Sequence, residues 1–345
     1  MLNNENTDIL ELASQREKEE MGKRLTVSDL YSDWIQYRMA TKNPSTVKKD
    51  IWVWNTYYED SDISKEILRS LKPPIITTEL LKMARQRGLT QRKFREMKSV
   101  LNKILDYAVD MGYIFSNPSR QIHGISIDVF EEEEEKCKDD RIFSKDSLEL
   151  LKIKAREHYT KYDNMVYLAI LINLGLGLRV GELAALKIDD FDLKDDILTL
   201  RRSEQSTFKY DGTDISRSGS KIVGHLKKNR KDRHIPLSNY VVDIFIESLE
   251  YHKIHGIETD WLFISKNGNR VTTNAINQAL NRISGKGNHT IRRTVITSLI
   301  RSGVFTQKEI MDIAGHKDYE TTSKYYDYAI GQYTRERMDR ALNCG

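Results

Sequence analysis

Five short stretches of the chain carry side chains suited to chemistry on an anion. Gly177-Leu-Arg-Val-Gly-Glu-Leu183 sets Arg179 after a glycine-punctuated helix end, with Glu182 three residues on, where it pairs with the guanidinium or holds it in place if a helix restarts. Such a pair on a surface contributes little. The apolar neighbours Leu176, Leu178, Val180 and Leu183 put this one at least partly inside, where a guanidinium needs an anionic partner, and a phosphate is one. His289-Thr-Ile-Arg292 has the i,i+3 spacing that aligns imidazole and guanidinium on one helix face, although alone the pattern is ordinarily a solvated basic face continued by Arg293. In Ile313-Ala-Gly-His316, Gly315 ends a helix and His316 turns toward a cleft, a place where a lone histidine is more often a structural hydrogen-bonder. Tyr325, followed by Tyr326 and Tyr328, is one of 17 tyrosines, most of which are packing residues. Lys227-Lys228 lie in a basic turn before His234-Ile-Pro-Leu237 and are, by themselves, a solvated pair.

Other chemistries leave no trace. The chain has no Gly-x-x-x-x-Gly-Lys-Ser/Thr loop, no His-Glu-x-x-His, no Gly-x-Ser-x-Gly and no carboxylate cluster with two-metal spacing, so ATP hydrolysis and a dedicated metal site are unsupported. We expect no cofactor and no metal. Its two cysteines, Cys137 and Cys344, offer neither a disulfide framework nor a thiolate zinc site.

In order and spacing the five stretches are more specific than any one of them. An Arg, a Lys in a β-turn before an Ile-Pro-Leu strand, His-x-x-Arg, Gly-His, and a Tyr nine residues after that His together resemble the tyrosine recombinases, also called the phage integrase family. The resemblance covers about Arg141 to Tyr328. It implies that Arg179 and Arg292 stabilise charge on the scissile phosphate, replacing a metal as fixed fork donors. Tyr325 would be the nucleophile, forming a phosphodiester that conserves bond energy for rejoining without ATP. Lys228, with Lys227 as the neighbouring alternative, would protonate the departing 5′ oxygen, and His289 and His316 would assist proton transfer and hold the phosphate. Tyr325 is preferred to Tyr326 because Tyr326 needs an extra residue in the turn. Arg293 stands where many relatives have histidine.

The elements that must position these groups suggest a mixed α/β, mainly α chain. Its 345 residues suffice for two domains, since single cores usually stop growing by about 250 residues. Residues 1–24 are polar, with only Ile9, Leu12 and Ala13 at helical spacing. Residues 25–120 read as four helices: one through Leu30, Trp34, Ile35 and Tyr37, one capped by Ser45 or Thr46 and running through Ile51, Trp54 and Tyr58, one around Leu80–Ala84 after the Pro73-Pro74 break, and one from Thr90 to Gly112. This resembles the family's core DNA-binding domain. Residues 121–140, acidic from Asp128 to Asp140 with five glutamates at 131–135, read as a solvated linker. Residues 141–330 form the catalytic domain, α-helical with a small antiparallel β-sheet: helices at Lys145–Ala155 and Met165–Leu174, short strands at Ile197–Leu200, Lys221–His225 and His234–Leu237 around a polar segment holding Gly212 and Gly219, and helices at Ile291–Ile300, Lys308–Ile313 and Thr321–Tyr328. Residues 331–345, with Tyr333, Met338 and Leu342 among charges, suit an amphipathic tail helix; in the family such tails are commonly exchanged between protomers.

Fifty-five Lys and Arg against 51 Asp and Glu leave a net charge of +4, mild support for a polyanionic partner. Arg85, Arg87, Arg92, Lys93, Arg95 and Lys98 form a basic stretch segregated from the acidic one and are the candidate DNA contacts. No apolar run approaches the roughly 18 residues of a membrane span, and the N-terminus lacks a secretory pattern, so a soluble cytoplasmic protein is expected. The resemblance implies double-stranded DNA as partner, a homotetramer on DNA formed from monomers or weak dimers, and room for an accessory excision or host DNA-bending factor. It favours the integrase of a phage or conjugative transposon. A chromosome-dimer resolvase or invertase shares every catalytic residue, and a type IB topoisomerase shares the nucleophile. A catalytically silent DNA-binding regulator is disfavoured by the complete residue set.

Overall fold

The computed structural model describes residues 15–132, 141–211, 214–224, 232–316 and 318–330, with backbone alone for Lys324 and residues 326–330. Lys227, Lys228, Gly212, the apolar repeat of Ile9, Leu12 and Ala13, the acidic residues 133–140 and the tail 331–345 lie outside the described residues. The chain divides into two compact units, Met1–Glu134 with Ser206–Gly219, and Glu135–Gln205 with Ser220–Gly345. Among the described residues no helix is long and apolar enough to cross a membrane.

The first unit is built on α1 (Val27–Thr41), α2 (Pro44–Tyr57), α3 (Pro73–Gln86) and α4 (Gln91–Asp110). Thr26 and Asp29 form a reciprocal capping box that opens α1. Leu30, Trp34 and Ile35 face the core as their spacing predicts, but Tyr37 lies on the outer face, 47% exposed and stacked on Tyr107. Helix α2 starts earlier than expected. Asn43, not Ser45 or Thr46, is the cap, accepting from Ser45 N at 3.0 Å, and Pro44 occupies the first turn with its φ already helical. The Pro73-Pro74 pair likewise begins α3 instead of preceding it, because the first amides of a helix have no intrahelical acceptor to lose. Thr90 caps α4 as expected, and Phe94, Met97, Leu101, Ile104, Leu105 and Ala108 are its buried stripe. A buried ion pair joins α1 to α2, Arg38 to Asp50, and Lys103 Nζ of α4 reaches the same carboxylate at 2.8 Å.

Two expectations about this unit need correction. Residues 121–132 are not a solvated linker: Ile122 is buried, Ile125 and Phe130 pack on the helical core, and Glu131 N donates to Leu89 O at 3.1 Å. The high charge of the segment conceals three apolar anchors. The polar segment after Ile197–Leu200 is a β-hairpin, β3 (Arg202–Tyr210) against β4 (Ile215–Gly224), so the strand expected at Lys221 begins six residues earlier. Residues 206–219 at its end belong to the first unit, whose core takes in Ile215 completely and Phe208 and Tyr210 in part. Neither strand alternates apolar with polar residues, so periodicity does not reveal it.

The second unit is organised around α6 (Val166–Leu176), which follows α5 (Lys145–Tyr162) and is buried on nearly every side. It packs against α5, α7 (Asn239–His255), α8 (Thr273–Ser284) and α9 (Asn288–Ser302). Helix α5 runs two turns past Ala155 before Asp163 ends it with φ +47°, Tyr159 supplying the extra apolar contact. The expected small sheet is antiparallel, in the order β1 (Phe191–Asp192), β2 (Ile197–Leu200), β5 (Arg233–Pro236), with Leu200 opposite Arg233. Helices α10 (Gln307–Ala314) and α11 (Tyr319–Ile330) close the unit, and Ile296, Ile300, Ile310, Ala314 and Tyr325 form a small separate cluster.

Truncating Ile215 removes a fully enclosed side chain from the first unit. Ile215→Ala is expected to lower the stability of that unit by about 2–5 kcal/mol. Urea unfolding followed by tryptophan fluorescence reads this through Trp34 and Trp54, and an unshifted midpoint would refute the assignment of the hairpin end to that core.

Candidate active site

The turn after α6 fixes the first guanidinium. Gly177 takes φ +61°, and an added Cβ would stand 2.9 Å from the Val295 side chain of α9, so both the conformation and the close approach require glycine. Two buried asparagines hold the next residue. Leu178 N donates to Asn173 Oδ1 at 2.7 Å, Asn288 Nδ2 donates to Leu178 O at 3.1 Å, and Asn173 Nδ2 donates to Asn288 Oδ1 at 2.9 Å. The network ties the end of α6 to the start of α9, one residue before Arg179 and one before His289. Arg179 opens the single helical turn Val180–Leu183, where Glu182 accepts its backbone N–H at 3.1 Å and its Nη1 at 3.0 Å, and Nη2 donates to Gly315 O at 3.0 Å.

Glu182 is 2% exposed and serves a second cation that the sequence did not single out. Arg233, opening β5, donates Nη1 to Oε1 at 3.2 Å and Nη2 to Oε2 at 2.7 Å, a two-pronged geometry that lysine does not reproduce. Burial alone would raise the Glu182 carboxyl, but Arg233 and then Arg179 outweigh it and hold the group below the ordinary glutamate value. Gly315 lies against this pair. It has φ +63°, and a Cβ there would be 2.1 Å from Arg233 Nη1.

Arg292, on α9 and 2% exposed, donates Nη1 to Gly177 O at 3.0 Å and Nη2 to Ala314 O, and Nη2 lies 3.1 Å from His316 Nε2. Burial, with Arg179 next, pushes its guanidinium down to about 10, still far above neutral pH, so it remains charged. The contact fixes the His316 tautomer. Nε2 must accept from the cationic Arg292, so Nδ1 carries the proton and donates to Thr322 Oγ1 at 2.9 Å. Burial, followed by Arg292, Arg179, Arg233 and His289, lowers His316 to about 4. His289 is lowered by lost hydration, then Arg293, Arg292 and Arg179. Both rings are therefore neutral at physiological pH. The Tyr325 ring stacks on His316 at 5.6 Å between centroids, and Tyr325 is 7% exposed.

Arg179, Glu182, His289, Arg292, His316 and Tyr325 thus come together from three distant stretches, whereas Lys227 and Lys228 lie outside the described residues. Arg233, Asn173, Asn288 and Thr322 are the residues that sequence reasoning missed, although Arg233 heads the His234-Ile-Pro-Leu237 strand, Asn288 directly precedes His289 and Thr322 lies between His316 and Tyr325. The basic stretch is less uniform than expected. Arg85, Arg87, Arg92, Lys93 and Arg95 are exposed, but Lys98 is partly buried and donates to Ile122 O at 2.8 Å, so it serves the fold. Nor is positive charge segregated from negative: Arg92 and Arg95 line one groove with Asp128, Glu131 and Glu132.

A helical unit followed by a helical unit with a small antiparallel sheet is the fold of the tyrosine recombinases. The Tn1549 transposon integrase, solved in complex with circular intermediate DNA, matches it with a TM-score of 0.68 and 21% identity, over 92% of this chain and all of that one. Residues 142–330 match the phage integrase family, and the chain belongs to that family of tyrosine recombinases. It is 23% identical to the tyrosine recombinase XerC-like protein of Caldanaerobacter subterraneus subsp. tengcongensis, over 89% of this chain and 80% of that protein. It is 27% identical to the prophage ps2 probable integrase of Lactococcus lactis subsp. lactis, over 75% of this chain and 69% of that protein.

The displaced imidazole has a measurable consequence. His316 titrates near 4 when folded and near 6.5 when unfolded, so between those values the unfolded chain holds the proton and the folded site does not. Stability from this group is complete above about 6.5 and is lost as pH falls toward about 4. Glu182 acts in the same sense but only below about 4.5, at the acid edge of this window. Chemical denaturation across the window should give a shallower pH dependence for His316→Gln than for the unmodified chain; equal slopes would refute the neutral, crowded ring.

Proposed function

We propose that this tyrosine recombinase is the integrase of a mobile element, cutting and rejoining double-stranded DNA through a 3′-phosphotyrosyl intermediate with neither ATP nor metal. The observation that carries the reading is the convergence of Arg179, Arg292 and His316 at the Ala314–His316 turn, with the Tyr325 ring stacked on His316 and His289 within electrostatic reach of both arginines. A phosphodiester entering there meets donors aimed from Arg179 and Arg292, which gain most as charge grows on the non-bridging oxygens. The Tyr325 oxygen forms a bond to phosphorus as the bond to the 5′ oxygen breaks; Lys228 supplies the leaving oxygen's proton, and His289 and His316 assist proton transfer. Reversal by a new 5′ hydroxyl restores the tyrosine and rejoins the strand. The helical unit, with Arg85, Arg87, Arg92, Lys93 and Arg95 exposed, would grip the duplex. Assembly into a tetramer on DNA, with the tail 331–345 docked on a neighbour, follows from the family resemblance.

Mobile-element integration is favoured by the likeness to a transposon integrase and by the polar hairpin between β2 and β5. Similarity to the XerC-like protein keeps chromosome-dimer resolution as the second reading. Sequencing the junctions of the DNA element that encodes the chain distinguishes them and supplies the cognate site.

A nicked half-site built on that junction should trap a covalent protein–DNA adduct. Tyr325→Phe is expected to abolish the adduct while leaving binding within about twofold, since only the nucleophilic oxygen is lost. An adduct that survives in Tyr325→Phe and vanishes in Tyr326→Phe would move the nucleophile by one residue.

Cleavage should also proceed undiminished in EDTA without nucleotide, because the two arginines carry the charge that a metal would otherwise bring. A gel-based cleavage assay that shows strict magnesium dependence would overturn the mechanism.

A further inference from the structure

We propose that Thr322 is a positioning residue that makes seating of the tyrosine helix and orientation of His316 a single event. Thr322 is fully buried, and its Oγ1 lies 2.9 Å from His316 Nδ1; among the described residues the hydroxyl makes no other hydrogen bond. It sits on α11 one turn before Tyr325, so i,i+3 geometry sets the hydroxyl and the phenol on the same face, and both meet the His316 ring: one at its edge nitrogen, the other stacked 5.6 Å away. The far nitrogen of that ring meets Arg292 at 3.1 Å. A chain of contacts therefore runs from α11 through His316 to the guanidinium held by Gly177 and Ala314. When α11 lifts away, His316 loses the partner of Nδ1 and the ring that covers its face at the same moment, and Nε2 is no longer held toward Arg292.

The choice of a hydroxyl is informative. Threonine both donates and accepts, so it partners Nδ1 when that atom carries the proton, as here, and equally when Nε2 carries it and offers an N–H to a phosphate oxygen. A carboxylate would favour a charged ring and add a negative group beside the phosphate. An apolar side chain would serve neither tautomer. The faces around His316 carry Arg292, Arg179, Arg233 and His289, all of which oppose a further positive charge, so a neutral partner fits the site.

This inference rests on the recombinase reading for its catalytic half, and the test separates the two. Thr322→Val keeps the shape and removes both hydrogen-bonding functions; Thr322→Ser keeps both. Without DNA, the His316 Nδ1–H signal, assigned by its loss in His316→Gln, should be shielded from solvent exchange in the unmodified chain and in Thr322→Ser and be lost to exchange in Thr322→Val, the proton itself being kept on Nδ1 by Arg292. On the nicked half-site, Thr322→Val should form the adduct roughly 10- to 100-fold more slowly at saturating protein, with its DNA affinity unchanged and Thr322→Ser recovering most of the rate. An Nδ1–H signal equally shielded in Thr322→Val, an unchanged adduct rate, or equal slowing in the serine and valine variants would each overturn the proposal. Failure of the unmodified chain to form any adduct counts against the recombinase reading, while the DNA-free Nδ1–H measurement still decides the Thr322–His316 contact.

Discussion

Three guanidiniums share one small space around a single carboxylate, and the site depends on how that crowding is tolerated. Glu182 neutralises only part of the charge of Arg179, Arg233 and Arg292. The remainder is met by main-chain dipoles. Gly177 O and Ala314 O lie at the C-terminal ends of α6 and α10, where free carbonyls concentrate partial negative charge, and Arg292 donates to both. Arg179 takes the next carbonyl, Gly315 O. Two helix ends and one buried acid thus keep the cations together in the absence of DNA.

The residual positive charge explains the histidines. Each imidazole sits where another proton would add to the repulsion, so both stay neutral and act as hydrogen-bonding groups. It also explains the two glycines. Gly177 and Gly315 end their helices in the left-handed conformation, and each lies too close to a neighbour to bear a side chain: Val295 for the first, Arg233 for the second. They set the distance at which the helix ends approach the arginines, beyond marking where the helices stop.

The candidate site was legible where its residues fall in short runs at helix ends. Arg179 with Glu182, His289 with Arg292, and Gly315 with His316 are neighbours in sequence, and local spacing displays them. What spacing does not display is pairing across the chain. Arg233 finds Glu182 from 51 residues away and Asn288 finds Asn173 from 115, and nothing near either residue advertises a partner. The same distinction holds for the fold. The helices of both units follow their apolar periodicity, with errors at Asn43 and Pro73 where capping chemistry, not periodicity, decides the boundary. The β3–β4 hairpin has too few apolar residues to show a period, and Ile122, Ile125 and Phe130 are masked by the charge around them. Lys98 shows that composition does not tell a cation facing solvent from one bound to a carbonyl.

The hairpin also bears on the order in which a ribosome delivers this chain. The helices of the first unit emerge early, but Ile215 and the rest of residues 206–219 follow only after α5, α6 and the first strands of the second unit. Until then the helical unit carries an open apolar seat, and its last packing step waits for sequence made some 95 residues after α4 is complete. Neither unit is contiguous in the gene, so a fragment cut at the acidic segment is not a finished domain, and unit boundaries drawn along the sequence do not coincide with the bodies that fold.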